Sequence, residues 1–285
     1  MEPKQTTKEE YQKCVNSVVD YINLHLGEEI DLKSLARISH FSPFHFHRIM
    51  KAFLGEPIGT FIVRTRTETA ARLLRYSELS ISDIAYRIGY ASPSSLSKVF
   101  KQLYGISPLE FRNNKNFVIM KPAIIRPDLN LKSEIKQLPL RNLLYIRQFG
   151  EYKTVDYVGC MQRLHHFIVE QKLTKASMAP YCIYYNDPKT TDPGKLCTDI
   201  GFTLTAPVKP AGEVGFKQIP EGRYLVFLYQ GPYDHLQAVY DTIFSKYLPE
   251  SGCTLRDEPC SECYLNDPAC TAPDDLLTEI HLPIE

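Results

Sequence analysis

Through the first 112 residues, apolar positions return every three or four residues; in the second half they alternate or gather in short β-branched and aromatic blocks. The first period belongs to helices with one buried face, the second to strands. Val15, Val18, Val19, Ile22 and Leu26 predict an amphipathic helix that Gly27 stops, after a frayed lead over residues 2–10. Asp31 caps a second helix carrying Leu32, Leu35, Ala36 and Ile38; Ser34 stands where a capping box would need Glu. Ser42-Pro43, an N-cap followed by proline at the first helical position, opens a helix over Phe44–Phe53 that ends at Gly55. Its inward residues are Phe46, Ile49, Met50 and Phe53. A long helix follows over Ile58–Tyr76, then a short one with Ile84, Ala85 and Ile88 on one face, ended by Gly89. Ser92-Pro93 opens the next, Pro93–Tyr104, with Leu96, Val99, Phe100 and Leu103 inward and a Gly-x-Ser-Pro stop after it.

This region is a repeat. Ala36 and Phe41 correspond to Ala85 and Tyr90, 49 residues on; after a one-residue insertion Ser42-Pro43, Phe46, Gly55 and Phe61 return as Ser92-Pro93, Leu96, Gly105 and Phe111. The pattern predicts an all-α domain of two tandem helix-turn-helix units over residues 12–112. Residues 113–132 read as a connector, with an edge strand at Phe117–Met120.

A second repeat fills residues 133–285. Lys136-Gln-Leu-Pro139 returns as Lys217-Gln-Ile-Pro220, and Gly150-Glu-Tyr152 as Gly231-Pro-Tyr233, at an offset of 81. At an offset of 80, Tyr184, Asn186-Asp-Pro188, Thr198 and Ile200 return as Tyr264, Asn266-Asp-Pro268, Thr278 and Ile280. So many matches in register predict two half-domains from one ancestral unit. Strands are expected at Leu143–Phe149 and Tyr224–Tyr229, and helices at Lys153–Glu170 and Asp234–Tyr247. Each half reads strand, strand, helix, strand, loop, strand. The expected fold is therefore multidomain: the tandem helix-turn-helix domain, then an α+β domain of two repeated strand-helix-strand-strand halves.

Charge sharpens this division. The chain is neutral, yet Lys33–Lys115 holds thirteen Lys/Arg against five Asp/Glu, a net of +8, which leaves −8 elsewhere. A basic block in one domain points to a polyanion as that domain's partner. No apolar run reaches membrane-spanning length, and residues 1–10 are polar and mixed in charge, so neither a membrane helix nor a signal peptide is expected. Eight cysteines in such a chain argue for reduced thiols and a cytoplasmic setting.

The outer face of Pro93–Tyr104 is small, polar and basic: Ser94, Ser97, Lys98 and Lys101. Such a surface suits a DNA major groove. Asp83-Ile84-Ala85, Gly89-Tyr90, Ser92, Phe100-Lys101, Gly105, Ser107-Pro108 and Phe111-Arg112 together resemble the second helix-turn-helix of the AraC/XylS family of bacterial transcription regulators. Leu96 stands where that family usually has Phe, and Lys98 where Arg is common. The resemblance covers about residues 12–112, including Phe61-Ile62, Arg66, Ala70 and Leu73-Leu74 of the connecting helix. It implies double-stranded DNA as partner, RNA polymerase as a further candidate partner, and two recognition helices held about one turn of DNA apart, ~34 Å. It also implies that Phe44, His47 and Arg48, with Lys51 on the same face, meet DNA, as do Ser94, Ser97 and Lys98. His40, His45 and His47 lie close in sequence but lack a fourth ligand, so no metal is expected there.

Residues 133–285 resemble the GyrI-like effector domains, on the Gly-x-Tyr before each helix, Glu262-x-Tyr264-Leu-Asn-Asp-Pro, and Thr278-Glu279-Ile280-x-Leu-Pro-Ile. The resemblance implies a small-molecule effector, often cationic and aromatic, bound between the two halves. The residues support a cation site independently. Glu262 with Tyr264, and Glu279 with His281, would share one face if their strands alternate in phase, and a cation over tyrosine rings with carboxylates behind is physically sound. Tyr152, Tyr233 and Tyr184 complete the candidate site; Asp199 is the repeat partner of Glu279. His281 replaces a more usual Tyr, which loosens the preference for permanent cations. Cys253, Cys260, Cys263 and Cys270 do not follow zinc-ribbon spacing and read as free thiols. No cofactor motif occurs. Two other readings remain: a hydrolase of small electrophiles using Glu262 or Glu279 as general base, and a protein-binding scaffold.

Overall fold

The computed structural model describes residues 5–39, 41–126, 128–173 and 178–285, with side chains from residue 8 onward. The chain divides into two compact units. The first is Met1–Lys121 together with Asp187–Lys195 and Ala211–Glu213; the second is Pro122–Asn186, Leu196–Pro210 and Val214–Glu285.

The first unit is helical: α1 (Gln5–Leu24), α2 (Leu32–Ile38), α3 (Pro43–Leu54), α4 (Ile58–Tyr76), α5 (Ile81–Arg87), α6 (Pro93–Tyr104) and α7 (Pro108–Asn113). Local chemistry sets the ends. The Asp31 side chain accepts from the Lys33 and Ser34 amides, Ser42 accepts from His45 and Ser92 from Ser95. Gly55 and Gly105 close α3 and α6 in the left-handed region. The Gly-x-Ser-Pro stretch is more than a stop. Ser107 caps α7 in a reciprocal box with Glu110, by the same serine-proline logic that opens α3 and α6.

Val15, Val18, Val19, Ile22, Leu35, Phe46 and Met50 are fully buried in the first repeat, and Ile84, Ala85, Leu96 and Phe100 in the second. Leu103 departs from expectation and is 45% exposed. In the last turn of α6 the ring of Tyr104 instead meets Phe100 edge-on at 4.9 Å. The connecting helix is locked from both sides. Arg64 is buried between Glu56 and Glu68, at 2.7 and 2.9 Å. Arg66 donates to the carbonyls of Leu26 and Glu28 and lies over Tyr90. Gly89 is required twice: its φ is +82°, and a Cβ there would stand 2.8 Å from the Leu26 oxygen. After α7 the expected strand at Phe117–Met120 does not form. Those residues run as irregular chain, with Phe117 and Ile119 packed on the second repeat's core and Arg75 bound to the Asn114 and Phe117 carbonyls.

The second unit holds one eight-stranded antiparallel sheet: β1 (Lys132–Leu138), β2 (Arg141–Phe149), β3 (Ala179–Tyr184), β4 (Cys197–Leu204), β5 (Val214–Ile219), β6 (Gly222–Gln230), β7 (Cys260–Tyr264) and β8 (Leu277–Ile284). Its order, β1-β6-β8-β7-β3-β4-β2-β5, is symmetric about the β7–β3 seam. The halves are not side by side but exchanged: β1 pairs with β6 of the other half, and β5 with β2. A two-residue link ordinarily makes a hairpin. Here each link begins with a proline, Pro139 or Pro220, and carries the chain across instead.

Helix α8 (Tyr157–Glu170) packs through Cys160, Leu164 and Ile168 on Leu144, Ile146, Cys182 and Ile200. The second half's helix is a composite: a 3₁₀ turn (Tyr233–His235), α9 (Leu236–Thr242), a π-helical turn (Ile243–Tyr247) and α10 (Leu248–Ser251). The wider turn, with the Leu248 amide bonded to the Ile243 carbonyl, precedes Pro249, which has no N–H to continue an α-helical ladder. The connector's later part is fixed to this helix. The Ile124 amide donates to Asp241, that of Arg126 to Thr242, and that of Leu131 to the Tyr247 hydroxyl.

Candidate functional site

In the first unit the two helix-turn-helix repeats bury one face of α3 and α6 and leave the other in solvent. Phe44, His47, Arg48 and Lys51 are exposed on α3; on α6 Ser94 and Lys98 are exposed and Ser97 half-buried. Phe44 is 73% exposed, an unusual position for a phenylalanine, and the Arg48 guanidinium lies 5.8 Å from its ring. That contact holds the Arg48 guanidinium beside an exposed ring. Arg112 acts differently, donating to the Leu79 carbonyl at 2.6 Å and so holding backbone in place. His45 stacks on Phe41 and meets the Tyr11 hydroxyl, while His47 faces solvent; His40 lies outside the described residues.

In the second unit the register divides the predicted ligand site. On β7 and β8, Ser261 pairs with His281, Glu262 with Ile280, Cys263 with Glu279 and Tyr264 with Thr278. Residues paired across antiparallel strands share a face. Glu262 and Tyr264 therefore point to the helix side, and Glu279 and His281 to the other. The in-phase alternation expected from the sequence is thereby corrected. Cys260 and Cys263 likewise point opposite ways on β7.

On the helix-free side, Glu279 and Asp199 both have cations. Glu279 binds Lys136 at 2.8 Å and His281 Nε2 at 3.0 Å. Arg141 Nη1 sits 3.1 Å from His281 Nδ1; a guanidinium can only donate, so Nδ1 accepts and the imidazole is neutral. Burial pushes the His281 pKa down to match, while the hydrogen bond from His281 and the one from Lys136 hold Glu279 down at about 2. In the other half, Asp199 is fully buried with Arg147 on both oxygens, at 2.7 and 2.8 Å, and Lys217 at 2.6 Å. Lys136–Glu279 and Lys217–Asp199 are repeat equivalents. The tyrosines here hold the protein's own cations too: Arg141 lies over Tyr181 and Tyr224, and Lys217 over Tyr145 and Tyr185.

The helix side shows the same residue types without the cation. Glu262 is 2% exposed and accepts from the Tyr264 hydroxyl at 2.6 Å. Tyr264 in turn meets the Tyr184 hydroxyl at 3.0 Å. The rings of Tyr152 and Tyr233 pack edge-on against Tyr184 and Tyr264, at 4.9 and 5.3 Å, as a symmetric pair. The Tyr152 hydroxyl is engaged by the Asn186 and Cys197 carbonyls, so it offers its ring. Among the described residues, none of Glu262, Tyr184, Tyr233, Tyr240 and Tyr264 meets a Lys, Arg or His. Burial therefore pushes the Glu262 carboxyl up to about 7, against the pull of the tyrosine hydroxyls. Sequence reasoning missed two members. Tyr240 on α9 reads as helix core, yet its buried hydroxyl stands close enough to Glu262 to pull on the carboxyl, although outside the geometry of a full hydrogen bond. Cys182 lies directly opposite Glu262 in register, and its signal was present, since it is Glu262's repeat partner. A separate cleft of about 230 Å³, lined by Arg126, Tyr229, Gly231, His235 and Asp274, contains neither Glu262 nor its tyrosines and has no buried acid.

Residues 131–285, over half of the chain, match the GyrI-like small molecule binding domain. The chain belongs to the GyrI-like family. Residues 35–114 match a helix-turn-helix domain, of AraC type. Among curated proteins, the HTH-type transcriptional regulator YbfP of Bacillus subtilis is 33% identical over 102 residues, covering 36% of this chain and 35% of its own length. The probable transcription factor PqrA of Proteus vulgaris is 30% identical over 105 residues, covering 36% of this chain and 86% of PqrA. The chain thus spans about a third of YbfP but most of PqrA. Among solved structures, the C-terminal domain of EcmrR aligns with 55% of this chain and 99% of its own at 17% identity, with a TM-score of 0.45. No helix among the described residues is long and apolar enough to cross a membrane, and none of the eight cysteines is in a disulfide.

Proposed function

We propose that this protein is a sequence-specific, DNA-binding transcription regulator whose GyrI-like domain binds a small cationic, aromatic effector and performs no catalysis. The observation that carries the effector reading is Glu262: a buried carboxyl ringed by tyrosines and lacking the cation that Glu279 and Asp199, on the other face of the same sheet, both possess. Carboxylate and π faces complement a lipophilic cation. The DNA reading is supported by the AraC-type domain, by its net positive charge, and by the outer faces of α3 and α6. A regulator of this kind would work in the bacterial cytoplasm and address RNA polymerase. The hydrolase reading loses support because Glu279, one of its two candidate bases, is held ionised by Lys136 and His281.

Benzyltrimethylammonium and its uncharged isostere neopentylbenzene test the effector site. Glu262→Gln should weaken the cation by about 1.5–3 kcal/mol and leave the isostere unchanged. Glu279→Gln should leave both unchanged. Equal losses for cation and isostere in calorimetry would make Glu262 a fold residue. For DNA, Arg48→Ala should cost about 1–3 kcal/mol on the selected site and relax preference at one base pair. Arg112→Ala should weaken all sequences alike. Fragment selection and sequencing that shows unchanged preference in Arg48→Ala would remove Arg48 from the reading surface.

A further inference from the structure

Among the described residues Glu262 has no counter-ion, and the groups that face it are hydroxyls and a thiol. They are Tyr264 from its own strand, Tyr184 and Cys182 from β3, Tyr157 from α8, Tyr233 from the 3₁₀ turn, and Tyr240 from α9. Burial pushes Tyr157, Tyr184, Tyr233, Tyr240 and Cys182 up, so none of them ionises near neutral pH. Glu279 and Lys136 lie on the opposite face of the sheet and balance each other. An ionised carboxylate that is 2% exposed with only neutral neighbours is costly, whereas the neutral acid can keep its hydrogen bond to Tyr264.

We propose that the effector exchanges for a proton on Glu262: the free protein holds the acid neutral, and a permanent cation binds as the carboxyl O–H breaks and its proton passes to solvent. This deepens the effector reading and rests on it. The cation's positive charge replaces the proton's, so the buried site stays neutral before and after. A weakly basic amine gives a different balance. It arrives neutral, takes the proton from the carboxyl and forms the same ion pair with nothing released. With the carboxyl midpoint at about 7, a permanent cation should bind about tenfold more tightly at pH 8 than at pH 6. At pH 7 it should release about half a proton per cation bound.

Two measurements on the full chain test this. The first needs no ligand: the ¹³C carboxyl signal of Glu262, assigned by its loss in Glu262→Gln, is followed from pH 4 to pH 9. The second is calorimetry of benzyltrimethylammonium binding near pH 6.5 in buffers of differing ionisation heat, whose slope counts protons. A midpoint near 7, with a slope of about three-quarters of a proton released at pH 6.5, is expected; Glu262→Gln should bind more weakly with no slope. A carboxyl midpoint near the ordinary glutamate value, or buffer-independent heats, overturns the exchange. If Glu262→Gln still weakens the cation, the effector reading survives that result. Equal affinity of wild type and Glu262→Gln for the probe, or no binding by wild type at any pH, overturns the effector reading and the exchange with it.

Discussion

The two faces of the eight-stranded sheet carry the same residue types and use them in opposite ways. On the helix-free face, Asp199 and Glu279 meet Arg147, Lys217 and Lys136, and Tyr145, Tyr181, Tyr185 and Tyr224 lie against the protein's own cations. On the helix face, Glu262 stands among tyrosines with no cation among the described residues. The paired face is satisfied by itself and serves as scaffold. The unpaired face carries the cost of a desolvated acid, which a partner from outside can relieve. Duplication explains how both arose. Lys136–Glu279 and Lys217–Asp199 descend from one ancestral pair, whereas Glu262 faces its own repeat partner, Cys182, so the seam carries a single acid.

The largest effect should come from breaking the paired face. Asp199→Asn leaves Arg147, whose side chain is fully buried, and Lys217 without their carboxylate. Uncompensated buried charge of this kind costs about 3–5 kcal/mol. Hydrogen exchange in the full chain reports the loss locally, as faster exchange of β2 and β4 amides while α3 and α6 stay unchanged. Undisturbed β2 and β4 protection would show that the two cations do not need the acid.

Removing the unpaired acid should have the opposite sign. The folded state raises the Glu262 pKa from 4.5 to about 7, so it holds the proton more tightly than the unfolded chain does. The protonated form's advantage is fully present below pH 4.5 and is lost as pH rises through 7. Above that, ionisation in the buried site costs up to about 3 kcal/mol. Glu262→Gln never ionises. It should therefore unfold at higher urea concentration than wild type at pH 8, with the gain fading by pH 4. A difference independent of pH would mean that water reaches the carboxylate and that the contrast between the faces is overdrawn.

This contrast is also where the sequence ran short. Caps and periodicity are local, so Ser42-Pro43, Ser92-Pro93, Gly55 and Gly105 located α3 and α6 from the sequence, and exposure then followed for Phe44, His47, Arg48 and Lys51. The repeat showed two halves for the same reason. Strand alternation shows that Glu262 goes with Tyr264 and Glu279 with His281. It cannot show whether the two strands share a phase, because that depends on Ser261 pairing with His281, a relation between distant segments. A slip of one residue would have put both acids on one face. The exchange of β1 and β5 is equally non-local, and Tyr240 joined the site only because α9 packs on that side of the sheet.

The smallest effect is the finest probe of the open face. Tyr264 donates to Glu262 at 2.6 Å, whereas the Tyr240 hydroxyl pulls on the same carboxyl from outside the geometry of a full hydrogen bond. A hydrogen bond to a charged group contributes about 1.5–3 kcal/mol, so Tyr264→Phe should raise the Glu262 midpoint by about one unit or more. Tyr240→Phe should move it by less than about half a unit, since geometry and not proximity decides whether a hydroxyl stabilises the anion. The ¹³C titration of Glu262 in the two variants measures both. Ligand binding should separate them further: an unpartnered hydroxyl costs the free protein and can turn to a polar group on the effector, so Tyr240→Phe should leave the acid as it is and weaken only effectors that carry an acceptor. If Tyr240→Phe shifted the midpoint as far as Tyr264→Phe, its hydroxyl would already be spent on Glu262 in the free protein, and the helix face would be nearly as self-satisfied as the other.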